Sequence, residues 1–203
     1  MPIVVIGWGS LIWCPGSLRL KSAWRPDGPV LPIEYARISS DGRLTLVIDP
    51  GASRVRTYWA ISALDTVEQA RENLREREDT VLSRVDVART ADNVTTTDAR
   101  SIVHSWLRSR RDICAAVWTA LASNWDEIRG RNFSPEDAVR YLSELERDRQ
   151  SAPTTYERAC EYIRNTPEQV QTTVRTMLRE REDCRAAKLP ATLFERTPTD
   201  DKT

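Results

Sequence analysis

Two continuous apolar runs constrain the fold of this chain more than any other feature. Residues 3–6 are β-branched throughout, and residues 113–121 are apolar enough to form a central strand. Runs without polar alternation are typical of buried strands. We therefore expect a sheet in which both runs are buried.

The segments between these runs predict further strands and two helices. Strands are expected at 33–38, 44–48 and 55–61, and the Asp41-Gly42 turn indicates an antiparallel hairpin. Asp65 is the predicted cap of a helix that reaches Glu78, followed by a strand at 81–87 and a helix at 98–110.

The chain becomes entirely helical after residue 121. Ser134 and Pro135 predict the start of one helix, a second follows around Tyr156, and Thr166-Pro167-Glu168 predicts the start of a third. We thus predict an α+β protein with a mixed sheet or barrel. Its expected parts are a core at 1–121, a helical extension packed on it at 122–188, and a tail at 189–203.

The charge balance argues against a polyanion-binding protein. The 203 residues include 30 Lys plus Arg and 30 Asp plus Glu, so the chain has no net attraction for nucleic acid or an anionic membrane. Arg108, Arg110 and Arg111 are too short a basic cluster to reverse this expectation. No apolar run approaches the ~18 residues of a membrane span, and the first residues lack the basic segment of a signal peptide. We expect a cytoplasmic protein that binds neither membrane nor nucleic acid.

Metal and nucleophilic chemistry are also disfavoured. The four cysteines lie far apart, and the chain has one histidine, His104, whereas zinc sites need clustered ligands. Because this one histidine would have to serve the whole chain, no Ser, Cys or Thr nucleophile has a plausible base beside it. We expect a surface or structural role for His104. An enzyme of this composition would depend on a carboxylate and backbone amides.

The loop after the first strand is one candidate binding site. Gly7 and Gly9 let the backbone turn sharply and expose amide groups to a carboxylate or an oxyanion. The alternative is a tight turn without function. Ile12 stands where a dinucleotide-binding loop would have its third glycine, so the spacing does not support that class.

Glu78 is the second candidate. It continues the apolar stripe of Val67, Ala70 and Leu74 at helical spacing, which directs it toward the core. A buried carboxylate can serve as a general base with a raised pKa. The alternative is that Glu78 bends into solvent at the helix end or pairs with Arg75.

The sequence resembles the γ-glutamylcyclotransferase-like proteins, and most closely their ChaC-type, glutathione-specific branch. The segment VIGWGSLIW at residues 5–13 is similar to the strand and YGSLIW loop that begin those chains, with Trp8 in place of the tyrosine. Leu74 and Arg77-Glu78 match the spacing of the family's catalytic glutamate. The tyrosine that often follows this glutamate is absent. The resemblance covers roughly residues 3–88 and, more loosely, 113–121.

The resemblance implies a lyase or transferase that cyclises a small γ-glutamyl amide or peptide to 5-oxoproline without metal or cofactor. Glu78 would be the catalytic acid/base. The substrate loop would consist of Gly7, Trp8, Gly9, Ser10 and Leu11. The alternative is a catalytically inactive module on the same fold that binds a small ligand, or a protein through exposed tryptophans such as Trp125.

Overall fold

The computed structural model describes residues 1–94, 98–150 and 153–180. The predicted tail at 189–203 therefore lies outside the described residues, as does the end of the helical extension. The strands are β1 Ile3–Gly7, β2 Val30–Ile38, β3 Leu44–Ile48, β4 Arg54–Arg56, β5 Tyr58–Ile61, β6 Val85–Arg89 and β7 Ala115–Thr119. The helices are α1 Val67–Arg77, α2 Ala99–Arg108, α3 Trp125–Arg129, α4 Pro135–Arg147, α5 Pro153–Asn165 and α6 Thr173–Glu180.

The first sheet has four strands in the order β5-β1-β7-β6. β1 and β7 are parallel neighbours at its centre, with Ile3 opposite Ala115 and Val5 opposite Val117. Every residue of both strands is buried. The outer strands β5 and β6 run antiparallel to them. Both apolar runs are therefore confirmed as strands, and the second is confirmed as central.

The second sheet has three antiparallel strands in the order β3-β2-β4. The hairpin predicted at Asp41-Gly42 is confirmed. Gly42 has a φ of +80°, a left-handed conformation that glycine adopts without steric cost. This turn places Thr45 opposite Arg37, and the Ser39 N–H donates to the Arg43 carbonyl across the turn.

The strand predicted at 55–61 is divided between the two sheets. β4 pairs with β2 in the second sheet, whereas β5 pairs with β1 in the first. Between them, the fully buried Thr57 donates its N–H and its hydroxyl to the Pro29 carbonyl, at 3.1 and 2.7 Å. These hydrogen bonds fix the corner where the chain changes sheets. The α+β class is confirmed, with the strands in two hydrogen-bonded sheets.

The strand predicted at 81–87 is shorter and later than expected. Residues 82–84 form a 3₁₀ turn, and β6 begins at Val85. The Arg71 guanidinium donates to the carbonyls of Leu82 and Val85, at distances of 2.8–3.1 Å. Because a side chain of α1 binds these carbonyls, residues 82–84 form a turn packed against α1 instead of extending β6.

The last described helix begins seven residues after its predicted start at Thr166. α6 starts at Thr173. The guanidinium of the buried Arg175 donates to three carbonyls of the preceding segment, at 2.6–3.0 Å. Those carbonyls belong to Thr166, Pro167 and Val170. The segment therefore wraps around an arginine side chain, and the local helix-start signal at Thr166-Pro167-Glu168 is overridden.

A buried carboxylate on β2 completes the start of α6. Glu34 is 1% exposed. Its Oε2 accepts from the N–H groups of Thr173 and Val174, at 2.8 and 3.3 Å, and its Oε1 accepts from the N–H of Tyr35. A carboxylate at a helix N-terminus satisfies donors that lack partners within the helix. The second sheet is therefore bonded to the helical region.

The two faces of the first sheet carry two apolar clusters. Ile3 and Val5 pack with Leu74 of α1. Val4 and Ile6, which point to the opposite face by strand alternation, belong to a larger cluster. That cluster also includes the second sheet and buried residues of the helical region, among them Leu142, Ile163 and Val174. The helical region and the strands thus share one apolar core.

The prediction that Trp125 is exposed is wrong. Its side chain is 1% exposed and meets the rings of Phe133 and Tyr141 edge to face, at centroid distances of 5.4 and 5.9 Å. Trp125 therefore stabilises the helical region from within. None of the helices in the described ranges combines the length and the apolar character that crossing a membrane requires.

Candidate active site

Helix α1 is fixed at its start by a capping box. The Thr66 side chain accepts from the Gln69 N–H, and the Gln69 side chain accepts from the Thr66 N–H. The predicted cap, Asp65, is therefore displaced by one residue, because Thr66 is the residue that has a partner three positions later. Ala70 and Leu74 are buried along the predicted stripe.

The end of α1 is a Schellman motif that presents Glu78. Glu78 is the C-cap residue, the Asp79 N–H donates to the Glu76 carbonyl, and the Thr80 N–H donates to the Arg75 carbonyl, both at 3.2 Å. Asp79 adopts the left-handed conformation with a φ of 46°. A non-glycine residue at this position is strained, and such strain is concentrated at functional sites.

Glu78 is directed inward, as the helical spacing indicates. Its side chain is 17% exposed, and it forms an ion pair of 2.8 Å with its chain neighbour Arg77. Arg75 instead contacts Glu72 and Glu76, so the alternative pairing with Arg75 is wrong. Burial raises the pKa of Glu78, and the opposing effects of Arg77 and of the Thr119 hydroxyl are smaller.

Arg77 braces the end of α1 against the loop that follows β1. Its Nε donates to the Pro15 carbonyl at 3.1 Å, and its Nη2 donates to the Cys14 carbonyl at 2.6 Å and to Ser10 Oγ at 3.3 Å. One guanidinium therefore holds both the loop and Glu78. Reasoning from the residues alone did not assign this role, since it depends on carbonyls more than sixty residues away.

The loop after β1 is a compact turn with unused donors. The Ile12 N–H donates to the Gly9 carbonyl and the Cys14 N–H to the Ser10 carbonyl, at 3.0 and 2.8 Å. The N–H groups of Gly9 and Leu11 have no hydrogen-bond partner among the described residues. These amides are available to an oxyanion or a carboxylate.

Trp8 and Leu11 anchor the loop in the core. Trp8 is 5% exposed, and its Nε1 donates to the Leu46 carbonyl at 3.3 Å. Leu11 is also buried, in the cluster that packs on α1. A Cβ on Gly7 would lie 3.0 Å from the Trp24 ring. The loop conformation is therefore fixed from several sides before any ligand binds.

Tyr162, on α5, is a site residue that sequence reasoning missed. Its ring is buried against Trp13, with centroids 5.2 Å apart. Burial raises the pKa of Tyr162 to about 12, although hydrogen bonds from the backbone of Leu46 and Ser10 act in the opposite direction. The phenol oxygen lies against the loop backbone at Gly9. The helical region supplies part of the site wall.

These groups line one cavity of about 290 Å³. It brings together Glu78 and all five loop residues, Gly7, Trp8, Gly9, Ser10 and Leu11, with Thr119 and Tyr162. This volume lies just below the range of about 300–1,000 Å³ for small-molecule sites.

The charges around the cavity favour an anionic ligand. Its wall includes the guanidiniums of Arg37, Arg43 and Arg77 and the carboxylates of Glu78 and Asp79. Arg43 is paired with Asp41, outside the cavity lining, at 2.8 Å. Arg37 donates to the Ala122 carbonyl at 2.8 Å and has no carboxylate within ion-pair distance in the described ranges. Arg37 is therefore free to meet a ligand carboxylate.

The cavity contains no histidine among its described lining residues. His104 is 8% exposed in α2, so the surface role is wrong and a structural one fits. Arg110, in the short basic cluster, is paired with Asp27 at 2.7 Å and lies 5.1 Å from the Trp106 ring centroid. The polar chemistry of the cavity therefore comes from carboxylates, guanidiniums, hydroxyls and amides.

Comparison with known proteins gives no relative for this chain: no family model, no curated protein and no solved structure matches it.

Proposed function

We propose that this chain is a γ-glutamylcyclotransferase-like enzyme that converts a small γ-glutamyl amide or peptide to 5-oxoproline and releases the amine. The observation that carries the proposal is that Glu78 and loop residues 7–11 line one cavity. A buried carboxylate with a raised pKa and unpaired amides are the groups that this reaction needs.

The reaction needs no nucleophilic side chain, because the substrate supplies its own. Glu78 removes a proton from the α-ammonium, and the resulting amine attacks the γ-carbonyl carbon to form the ring C–N bond. The carbonyl oxygen becomes an oxyanion that the Gly9 and Leu11 amides can stabilise. When the intermediate collapses, the original amide C–N bond breaks and the leaving nitrogen takes the first proton from Glu78. The ring nitrogen then loses its second proton to Glu78, which passes it to the released amine, so that the products are the neutral lactam and an ammonium.

Positioning accounts for much of the expected rate. An intramolecular attack held in the reactive geometry can gain about 7–11 kcal/mol over a bimolecular one. Arg37 and Arg43 supply positive charge for the α-carboxylate of the γ-glutamyl group. The tight loop and the Arg77 brace keep the donors and the base at fixed separations.

The test is release of 5-oxoproline from glutathione and a panel of other γ-glutamyl compounds. We expect release by the wild type and its loss in Glu78→Gln. Glu76→Gln is the matched control, since Glu76 lies on the same helix end with a side chain 57% exposed. The proposal fails if no compound is converted, or if conversion survives Glu78→Gln.

The second candidate is a binding module on this fold that has no catalytic activity. The Arg77–Glu78 ion pair favours it, because Arg77 holds a carboxylate oxygen that a base would use. A rise in melting temperature on adding γ-glutamyl compounds, without turnover, would support this candidate. Conversion that depends on Glu78 would exclude it.

A further inference from the structure

Thr119 places a buried hydroxyl in the wall of the cavity. It is the last residue of β7 and is 8% exposed. Its Oγ1 is shielded from solvent and has no partner with hydrogen-bond geometry among the described residues. Buried hydroxyls nearly always have partners. The position therefore requires a group that can approach from the cavity.

Glu78 is the group that can approach. Arg77 donates to Glu78 Oε1 at 2.8 Å, and no hydrogen bond to Oε2 is made by the described residues. Leu74 of α1 and Val117 of β7 lie in the same apolar cluster, which sets the end of the strand beside the end of the helix. The Thr119 hydroxyl is close enough to lower the pKa of Glu78, as a donor to a carboxylate does.

We propose that Thr119 is a positioning residue for Glu78. The Thr119 hydroxyl donates to the oxygen of the Glu78 carboxylate that Arg77 does not hold. The inference rests on the proposed function, in which Glu78 exchanges protons with the substrate. Donors on both oxygens would fix the carboxylate plane, so that its remaining lone pairs point into the cavity toward the α-ammonium.

The other charged groups around Glu78 are unchanged when Thr119 is substituted. Arg77 and Asp79 adjoin it at the end of α1, Arg37 and Arg43 face the cavity from β2 and the β2–β3 turn, and Tyr162 faces it from α5. If the pKa of Glu78 changes when the Thr119 hydroxyl is removed and returns when it is restored, the change is therefore due to that hydroxyl.

The experiment compares Thr119→Val, which keeps the shape and removes the hydroxyl, with Thr119→Ser, which keeps the hydroxyl. We expect Thr119→Val to raise the pKa of Glu78 and to lower kcat by about tenfold or more, the effect of one hydrogen bond to a charged group. KM should change little, because the solvent-shielded hydroxyl does not touch substrate. Thr119→Ser should restore both the pKa and kcat.

The pKa is measured by carbon NMR titration of the side-chain carboxyl groups, with the Glu78 signal assigned by its loss in Glu78→Gln. Thr45→Val is the control for this titration, because the Thr45 hydroxyl bonds the Arg37 carbonyl instead. We expect it to leave the Glu78 titration unchanged. Thermal melting establishes that each variant is folded.

The outcomes separate this inference from the proposed function. If no γ-glutamyl compound is converted but the Glu78 titration still distinguishes Val from Ser, the function fails and the positioning role stands. If turnover is present and Thr119→Val changes neither the titration nor kcat, the positioning role is overturned. Failure of Thr119→Ser to restore the wild-type values would also overturn it.

Discussion

Gly9 lies against the phenol of Tyr162 and leaves no room for a side chain. A Cβ at Gly9 would lie 2.5 Å from the Tyr162 hydroxyl oxygen, whereas ordinary contacts begin at 3.4 Å. The oxygen would have to retreat by about 0.9 Å, but the ring is buried against Trp13 and Tyr35. We expect Gly9→Ala to lower the free energy of unfolding by about 1–3 kcal/mol, the usual cost of overpacking.

Removing the phenol oxygen should relieve this clash. The next ring atom, Tyr162 Cζ, lies 3.5 Å from the same Cβ position, which is an ordinary contact. Tyr162→Phe alone should cost about 1–3 kcal/mol, because it removes the interaction of the buried hydroxyl with the backbone of Ser10 and Leu46. In Gly9→Ala/Tyr162→Phe we expect the loss to be smaller than the sum of the single losses by at least about 1 kcal/mol.

Urea denaturation of the four proteins in this double-mutant cycle measures the coupling. The control cycle replaces Gly9→Ala with Gly130→Ala, because a Cβ on Gly130 meets no atom within 4 Å and Gly130 has a φ of +64°. That substitution should cost the strain of its backbone conformation and show no coupling with Tyr162→Phe. Additive energies for Gly9 and Tyr162 would refute the assignment of the phenol as the atom that excludes a side chain.

Three further predictions concern the carboxylates of Glu78, Asp79 and Glu34. The raised pKa of Glu78 means that the folded state binds a proton more tightly than the unfolded state. As pH falls from 7 through the raised pKa toward 4.5, the unfolding free energy of the wild type should therefore rise relative to that of Glu78→Gln. The rise should be about 1.4 kcal/mol for each pH unit by which folding raises the Glu78 pKa. Parallel pH profiles of the two proteins would contradict this. Asp79→Val should destabilise the chain by about 1–2 kcal/mol and Asp79→Gly should not, because the left-handed conformation penalises a β-branched residue. Equal denaturation midpoints for the Val and Gly variants would refute the strain at this position. Glu34→Ala should lower the free energy of unfolding by about 1–3 kcal/mol and speed hydrogen exchange of the amides at the start of α6. Glu34→Gln should have a milder effect, because it keeps one acceptor oxygen. Unchanged exchange of the Thr173 amide in Glu34→Ala would contradict the capping role.

Local patterns predicted the elements whose stabilising contacts lie close in sequence. The strands at 3–6 and 113–121 and the Asp41-Gly42 hairpin were predictable, because apolar continuity and turn chemistry are properties of a few adjacent residues. The inward direction of Glu78 followed from helical spacing for the same reason. Errors arose where a side chain beyond the next turn changed the local preference. The Arg175 guanidinium, for example, binds the carbonyls of Thr166 and Pro167, nine and eight residues earlier.

In the candidate site, too, the parts were predictable from local sequence but the contacts between them were not. Its buried carboxylate, Glu78, and its loop are each recognisable from short segments, but their spacing depends on Arg77, which reaches the carbonyls of residues 14 and 15. The cavity wall beside the loop depends on Tyr162, more than 150 residues from Gly9. The family resemblance covers residues 3–88 and 113–121, so it leaves out the helix that carries Tyr162. Because this helix places the Tyr162 phenol against Gly9, the helical region shapes the loop of the candidate site.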